Sequence, residues 1–298
     1  MCSAFFIYSP HYELDFKTHV FPTDKYRLVK EALIEQFEFA PELFIEPPLI
    51  SYEDLFIVHQ SEYVKKIQTA TLTPAEKLHL ELPYSKSLAQ AALTACSGTL
   101  EAARRAKIGY PGLHIGGGFH HAYPDHGEGF SVFNDLAFAA ENLRVAGSRV
   151  LIIDADLHQG NGTAAFFQKT PEIFTFSIYQ KNIYPFEKES SDLDIPLADD
   201  SSGEDYLELF EKGLSDTIEI FNPDFVIYVA GADPYRKDTL GGLSLEISEL
   251  LERDRIVKKL FFDKIPIAVV LAGGYAEDKN DLIKIHSSTM ALFAGVNL

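Results

Sequence analysis

Two aspartates and a histidine occupy alternate positions in the segment Asp154-Ala155-Asp156-Leu157-His158. Side chains two residues apart in an extended chain point the same way, so these three polar groups are expected to share one face. Asp233, before Pro234, offers a further carboxylate. Asp156, His158 and Asp233 together would leave one coordination position open for water, as in a catalytic zinc site. The alternatives are a solvated strand end with a hydrogen-bonded histidine, and a turn aspartate before a proline.

Two adjacent histidines and a tyrosine each follow a glycine-rich turn. His120 and His121 come after Gly116-Gly117-Gly118-Phe119, and Tyr275 comes after Gly273-Gly274. A histidine beside a metal-bound water can accept its proton and later donate a proton to a leaving amine. A phenol can donate to the oxyanion of a tetrahedral intermediate. The histidines could instead be loop residues or two more metal ligands, and the tyrosine could simply pack.

The elements that must position these residues are short apolar runs that alternate with helical periods. We predict buried strands at Ala4–Tyr8, Leu113–Gly116, Arg149–Asp154, Ile173–Ile178, Phe225–Ala230 and Ile267–Leu271. Continuous apolar runs are typical of strands covered on both faces, as in a parallel sheet. Ligands bind beyond the carboxyl ends of such strands, which is where the polar residues above are found.

Helical periodicity separates these strands. Apolar or small residues recur on one face between Tyr26 and Phe37 and between Leu88 and Ala106, and a further helix is expected from about Ser244 to Phe262. Another helix is expected near the C-terminus, and Pro41–Pro48 is expected to be an extended crossing segment. The alternation favours an α/β fold with an open, mostly parallel sheet and helices on both faces. We predict one domain over residues 1–298.

The composition narrows the choice of partners and compartment. The net charge of −18 disfavours nucleic-acid binding and would attract cationic partners. The two cysteines, Cys2 and Cys96, do not indicate a disulfide framework, which favours a reducing compartment. We see no signal peptide and no apolar stretch of the roughly 20 residues that a membrane span needs. The prediction is a soluble cytoplasmic enzyme.

Taken together, the motifs resemble the histone deacetylase family within the arginase–deacetylase fold. The resemblance runs in the family's order from His19-Val20-Phe21-Pro22, through Ala230-Gly231-Ala232-Asp233, to Gly273-Gly274-Tyr275. It implies a sheet of about eight strands with long loops that form the pocket. It also implies a zinc-dependent hydrolase that removes acyl groups from lysine side chains in proteins or peptides.

The resemblance implies roles for particular residues. The matches to the zinc ligands, for one ion per chain, are Asp156, His158 and Asp233. The matches to the catalytic groups are His121 as general base, His120 as its partner, Asp154 as the acid that holds the first histidine, and Tyr275 as the carbonyl-polarising tyrosine. Gly129 and Phe130 match one pocket wall, and Tyr184 matches the opposing aromatic. The carbonyls around Asp154, Asp156 and His158, with Ser177, match the family's inner potassium site.

The sequence departs from the common family pattern in two places. Gln159 and Asn161 replace the usual residues after His158 and resemble the class IV branch, whose members are associated with long fatty acyl groups. Asn161 is neutral, so the histidine that it orients gains less help in becoming charged. The loop Leu82–Ser85 lacks an aspartate that grips peptide backbones in many deacetylases. Small acylated amines such as acetylpolyamines are therefore an alternative substrate class, and a metal-stabilised binding protein without turnover is a third hypothesis.

Overall fold

The computed structural model describes residues 4–262 and 264–298, and Cys2 lies outside them. The strands are β1 (Phe5–Ile7), β2 (Phe44–Ile45), β3 (Gly112–His114), β4 (Val150–Asp154), β5 (Ile173–Gln180), β6 (Leu193–Leu197), β7 (Phe225–Val229) and β8 (Ile267–Val270). The helices are α1 (Lys25–Phe37), α2 (Ser61–Thr69), α3 (Pro74–Leu80), α4 (Lys86–Lys107), α5 (Asp135–Val145), α6 (Asn161–Phe167), α7 (Gly203–Phe221), α8 (Ile247–Val257) and α9 (Lys279–Phe293). Short 3₁₀ turns occur at Pro10–Tyr12, Pro41–Leu43 and Glu53–Ile57, and a π turn at Lys258–Phe262 continues α8.

The strands form one eight-stranded sheet in the order β2-β1-β3-β8-β7-β4-β5-β6. All seven pairings are parallel, which confirms the predicted open α/β architecture. The central strands β3, β8, β7 and β4 are adjacent. Their carboxyl ends therefore meet along one short stretch of the sheet edge.

Both faces of the sheet are covered because alternate residues of each buried strand enter different apolar clusters. In β4, Leu151 and Ile153 pack into the larger cluster, which also holds side chains of α7, α8 and α9. Val150 and Ile152 pack into the second cluster with side chains of α5. The continuous apolar run of β4 thus reflects burial on both faces rather than half-burial.

The predicted elements differ from the observed ones at their edges. The strand expected at Leu113–Gly116 ends at His114, because the three glycines that follow begin a turn. The helix expected from Ser244 begins at Ile247, since Ser244 bridges to Ser202. The segment Pro41–Pro48 is predicted to be an extended connection, but it contains a 3₁₀ turn and the edge strand β2. The segment after Asp154 bends instead of continuing as an extended strand.

The helix boundaries carry local signals. Ser85 caps α4 by accepting a hydrogen bond from the Leu88 amide, and Asn134 caps α5 by accepting one from Ala137.

Within the described residues, no helix is both long and apolar enough to cross a membrane.

Candidate metal centre and active site

Asp156, His158 and Asp233 converge at the carboxyl ends of β4 and β7. One ligand atom from each lies within 4.8 Å of the others, and all three residues are buried. His158 Nδ1 lies 3.2 Å from Asp156 Oδ1 and 3.3 Å from Asp233 Oδ2. The segment after Asp154 bends, and three successive backbone amides in it, those of Asp156, Leu157 and His158, donate to carboxylate oxygens of Asp154, Asp233 and Asp156 respectively.

Those backbone contacts leave room for a cation between the three groups. Asp156 Oδ2 accepts the Gly273 amide at 2.8 Å, and Asp233 Oδ1 accepts the Leu157 amide at 3.0 Å. Asp233 Oδ2 is buried and has no hydrogen-bond partner in the described part of the chain. A Cβ atom on Gly273 would lie 2.2 Å from that oxygen, so only glycine leaves the cradle open. Two carboxylates and an imidazole form a donor set that zinc accepts, so the residues fit a divalent ion.

The electrostatics of this cluster also favour a cation. Burial lowers the pKa of His158, but its hydrogen bond to Asp156 and the close negative charges of Asp156 and Asp233 outweigh this and raise the pKa to about 10. Burial and the charge of Asp156 raise the pKa of Asp233 to about 6. A pocket that holds a proton so firmly between two carboxylates carries excess negative potential, which a divalent ion would neutralise.

His120 and His121 lie beside the metal-ligand cluster and have opposite electrostatic character. His120 Nδ1 is 2.7 Å from Asp154 Oδ2, and its Nε2 is 3.1 Å from His121 Nε2. Burial lowers the pKa of His120, but the charges of Asp154 and Asp156 raise it overall to about 9. Burial, followed by the charges of His120 and His158, lowers the pKa of His121 well below its usual value. His120 is therefore the charged member and His121 the neutral one that can accept a proton.

Asn161, the first residue of α6, orients His121. Its Oδ1 lies 2.7 Å from His121 Nδ1. Because an amide oxygen only accepts, Nδ1 of His121 carries the hydrogen and Nε2 keeps its lone pair. The sequence predicts that the neutral Asn161 orients a histidine, and the structure shows that this histidine is His121.

Tyr275 lines the same pocket from the end of β8. Its amide donates to Asp238 Oδ2 at 2.6 Å, and its carbonyl accepts from the Thr239 hydroxyl at 2.9 Å. Burial and the nearby charges of Asp233 and Asp156 raise the pKa of the phenol well above its usual value. The phenol is therefore protonated and able to donate a hydrogen bond.

Aromatic rings form the walls of a pocket of about 220 Å³ above these groups. Phe130 lies on one side, with its ring centroid 6.1 Å from that of Tyr275 and 5.9 Å from that of Phe21. Tyr184 lies against His121, with ring centroids 5.0 Å apart. A Cβ atom on Gly129 would lie 2.7 Å from the Tyr184 hydroxyl oxygen, so glycine keeps the two walls close. The bottom of the pocket reaches Asp156 and His158.

Ser177 lies on β5, directly opposite Asp154 in the β4–β5 register. Its hydroxyl oxygen is buried and has no hydrogen-bond partner among residues 4–262 and 264–298. An unpartnered buried hydroxyl beside the turn that carries the metal ligands fits the inner cation site predicted there.

Several residues of the site carried no signal that sequence reasoning used. Glu81 lines the pocket mouth directly before the loop that lacks an aspartate, and its carboxylate was missed. Asp238 and Glu128 bind site residues through hydrogen bonds that span 37 and 33 positions of the chain. Phe21 belongs to the motif His19–Pro22 but was not assigned to the wall. Of these residues, only Phe21 could have been predicted from the sequence, because it lies in that motif.

The arrangement is suited to attack of an activated water on a carbonyl carbon. A cradle for a divalent ion, a neutral histidine beside it and a protonated phenol all face one narrow, largely apolar pocket. These are the groups needed to polarise a carbonyl, to accept a proton from water and to stabilise the resulting oxyanion.

Comparison with protein families gives a match over most of the chain. The family model described as the histone deacetylase domain matches residues 19–290. An uncharacterised protein of Picosynechococcus is 37% identical over 285 residues, covering 94% of this chain and 95% of that protein. Histone deacetylase 2 of Arabidopsis thaliana is 30% identical over 295 residues, covering 93% of this chain and 76% of that protein.

Solved structures show the same fold. The crystal structure of a histone deacetylase homologue from Aquifex aeolicus superposes with a TM-score of 0.85 at 22% identity. The superposition covers 99% of this chain and 85% of the Aquifex chain.

Proposed function

This chain belongs to the histone deacetylase family, and we propose that it is a zinc-dependent hydrolase that removes acyl groups from lysine side chains. The observation that supports this most is the buried cluster of Asp156, His158 and Asp233 at the bottom of an aromatic-walled pocket. A narrow tube above a metal cradle suits a substrate whose scissile amide lies at the end of a long methylene stem.

Asp156, His158 and Asp233 would hold one ion per chain. When bound, that ion supplies Lewis-acid polarisation of the acyl carbonyl and makes a water more acidic. Two carboxylate ligands neutralise the ion, which makes a separate general base useful. Backbone carbonyls around Asp154, Asp156 and His158, together with the Ser177 hydroxyl, would hold a structural potassium ion.

The remaining steps belong to residues of the chain. His121, neutral and with its Nε2 unprotonated, accepts the proton of the attacking water. Tyr275 donates from its phenol to the oxygen of the former carbonyl as negative charge develops there. His121 then gives its proton to the departing lysine nitrogen as the C–N bond breaks, which releases an amine and a carboxylate. His120, held by Asp154, lies with its Nε2 3.1 Å from His121 Nε2, and when protonated it disfavours a second positive charge on His121.

Small acylated amines such as acetylpolyamines are a second candidate substrate class. Glu81 at the pocket mouth and the net charge of −18 both favour a substrate with a further positive charge. Either class uses the same chemistry, and neither requires direct contact with nucleic acid.

The acyl group is proposed to be long. A second cavity of about 30 Å³ adjoins the first and shares Phe21, Phe119 and Phe130 with it. Its remaining walls are mostly aliphatic side chains, among them Leu14, Leu82, Leu88, Ala91 and Ala92. Movement of a shared phenylalanine would join the two cavities into one apolar channel. With Gln159 and Asn161, this supports placing the chain nearest the class IV branch.

We further propose that residues 1–298 form one catalytic domain, because a single sheet runs through the described chain. A cytoplasmic location stays a prediction from cysteine usage; Cys96 is a buried free thiol.

An activity screen tests the proposal. The purified protein, supplied with zinc, would be assayed on acyl-lysine peptides, acylpolyamines and free acyl-lysine, with release of the carboxylic acid as the readout. We expect hydrolysis of acyl-lysine peptides. Turnover of acylpolyamines alone would favour the second candidate, and zinc binding without turnover of any substrate would indicate a binding protein.

A further inference from the structure

The Asn161 side chain is held by a carboxylate on the side away from His121. Its Nδ2 lies 2.9 Å from Glu128 Oε1 and 3.2 Å from the Tyr123 hydroxyl oxygen. Glu128 Oε1 also accepts a 2.8 Å hydrogen bond from the Tyr184 hydroxyl. One carboxylate oxygen thus connects the residue that orients His121 with a ring of the pocket wall.

Glu128 is itself held firmly. Its amide donates to the Ser131 carbonyl at 3.0 Å, and the Ser131 amide donates back at 2.8 Å, which closes the tight turn that carries Gly129 and Phe130. His126 Nε2 lies 3.5 Å from Glu128 Oε2. Burial raises the pKa of Glu128, but hydrogen bonds from His126, Asn161 and Tyr184 outweigh this and lower it, so the side chain is ionised.

The charge of Glu128 has a consequence for the amide of Asn161. An amide can present either its oxygen or its NH₂ group to a neighbour, whereas an ionised carboxylate can only accept. Facing Glu128, Asn161 must turn its Nδ2 outward and its Oδ1 toward His121. The opposite orientation would place two acceptors together at Glu128 and an NH₂ group against His121 Nδ1.

That orientation favours one tautomer of His121, which sets the nitrogen that carries the hydrogen and the nitrogen that keeps the lone pair. With Oδ1 facing it, Nδ1 carries the hydrogen, and Nε2, which faces His120, keeps the lone pair that accepts a proton. With NH₂ facing it, the hydrogen would move to Nε2 and the base would be lost.

We propose that Glu128 is a positioning residue that locks the Asn161 amide and thereby the active tautomer of His121, an inference that rests on the hydrolase function proposed above. In a direct His–Asp pair the carboxylate contacts the imidazole, whereas here the Asn161 amide lies between the His121 imidazole and the Glu128 carboxylate. Glu128 also ties this support to Tyr184, so the base and the pocket wall share one anchor.

Exchanging the Asn161 amide and the Glu128 carboxylate tests the positioning role of Glu128. Asn161→Asp alone would place two carboxylates about as close as the 2.9 Å now separating Asn161 Nδ2 and Glu128 Oε1, so activity should fall. Asn161→Asp combined with Glu128→Gln puts one carboxylate directly on His121 and an amide behind it. The double variant should recover most of the wild-type kcat, whereas Glu128→Ala alone should lose about 10- to 100-fold in kcat, the range seen when a partner of a metal-ligating histidine is removed.

Two measurements separate positioning from general stability. Tyr184→Phe removes only the Tyr184 bond to Glu128, and we expect it to raise KM more than it lowers kcat. Nitrogen-15 NMR of the histidine rings should show the Nδ1–H form of His121 in the wild type and a mixture of tautomers in Glu128→Ala. If Glu128→Ala does not fold, Glu128→Leu, which also has no hydrogen-bonding group, takes its place in the kcat and NMR measurements.

The outcomes are distinct. A wild-type protein that hydrolyses no acylated amine would contradict the proposed function, and the NMR spectra would still test the positioning role. An active wild type in which Asn161→Asp matches or exceeds the double variant, or in which Glu128→Ala keeps its kcat and its tautomer, would overturn the role of Glu128.

Discussion

The ammonium group of Lys25 donates a 2.6 Å hydrogen bond to the carbonyl of Ala272, directly before the turn that carries Tyr275. Lys25 is fully buried, and the rings of Phe21, Tyr26 and Tyr275 lie 5.4–5.9 Å from its nitrogen. Burial lowers its pKa to about 8, against the opposing charges of Asp233, Asp156 and Asp238. A residue at the start of α1 thus supports the far end of β8.

We predict that Lys25→Met lowers the free energy of unfolding by about 1–3 kcal/mol, because it leaves the buried Ala272 carbonyl without a partner. It should also lower kcat, because Ala272 adopts a positive φ of 54° and anchors the Tyr275 turn. Chemical denaturation and steady-state kinetics measure the two effects.

The matched control for this change is Lys30→Met, on the same helix. Lys30 lies 4.8 Å from the Tyr8 ring centroid and is not fully buried. Its loss should cost less than about 1 kcal/mol and leave kcat unchanged. Equal effects of the two substitutions would show that Lys25 has no particular connection to the site.

The central strands and the position of the site could be predicted because they follow from two general rules. Runs such as Val150–Asp154 are apolar throughout because both faces are buried, and polar residues after parallel strands meet at one edge. The edge strands could not be predicted in the same way. β2 has two residues, and β6 contains Asp194 and Pro196, so neither has an apolar run.

The contacts that hold the site together were also beyond prediction. Lys25 and Ala272 are separated by 247 positions, and Glu128 and Asn161 by 33. Neither lysine nor glutamate is in itself unusual at those positions. Only the folded chain shows that Lys25 is buried and that the Glu128 carboxylate faces an amide.

The metal cradle gives a direct prediction. Asp156→Asn and Asp233→Asn each remove one charged ligand, so each should abolish tight binding of the single zinc ion expected per chain. Elemental analysis after dialysis measures the metal content. Chelation of the wild type should abolish activity and lower Tm, since the two carboxylates would then face each other without a divalent ion. Two tightly bound manganese ions per chain would contradict the single-metal interpretation.

The Tyr275 phenol is predicted to act in the transition state. Tyr275→Phe should lower kcat by roughly 10²–10³-fold, as loss of one oxyanion donor does, and KM should change little. His121→Ala should be at least as damaging, because it removes the proton acceptor. Steady-state kinetics with metal content held at one ion per chain measures both. A Tyr275→Phe enzyme with nearly normal kcat would show that the ring only packs against Phe130.

The length of the acyl group is predicted to depend on the second cavity. Each additional buried CH₂ contributes about 0.8 kcal/mol, which corresponds to about fourfold in kcat/KM. In one peptide, kcat/KM should therefore rise from acetyl-lysine to octanoyl-lysine or longer. Ala92→Leu, which narrows the cavity, should remove that rise and spare acetyl-lysine, whereas Leu88→Ala, which widens it, should extend the rise to longer chains. The Tm of each variant reports the packing cost separately. A wild-type profile that peaks at acetyl and falls steadily would contradict the long-acyl proposal and leave the zinc mechanism untouched.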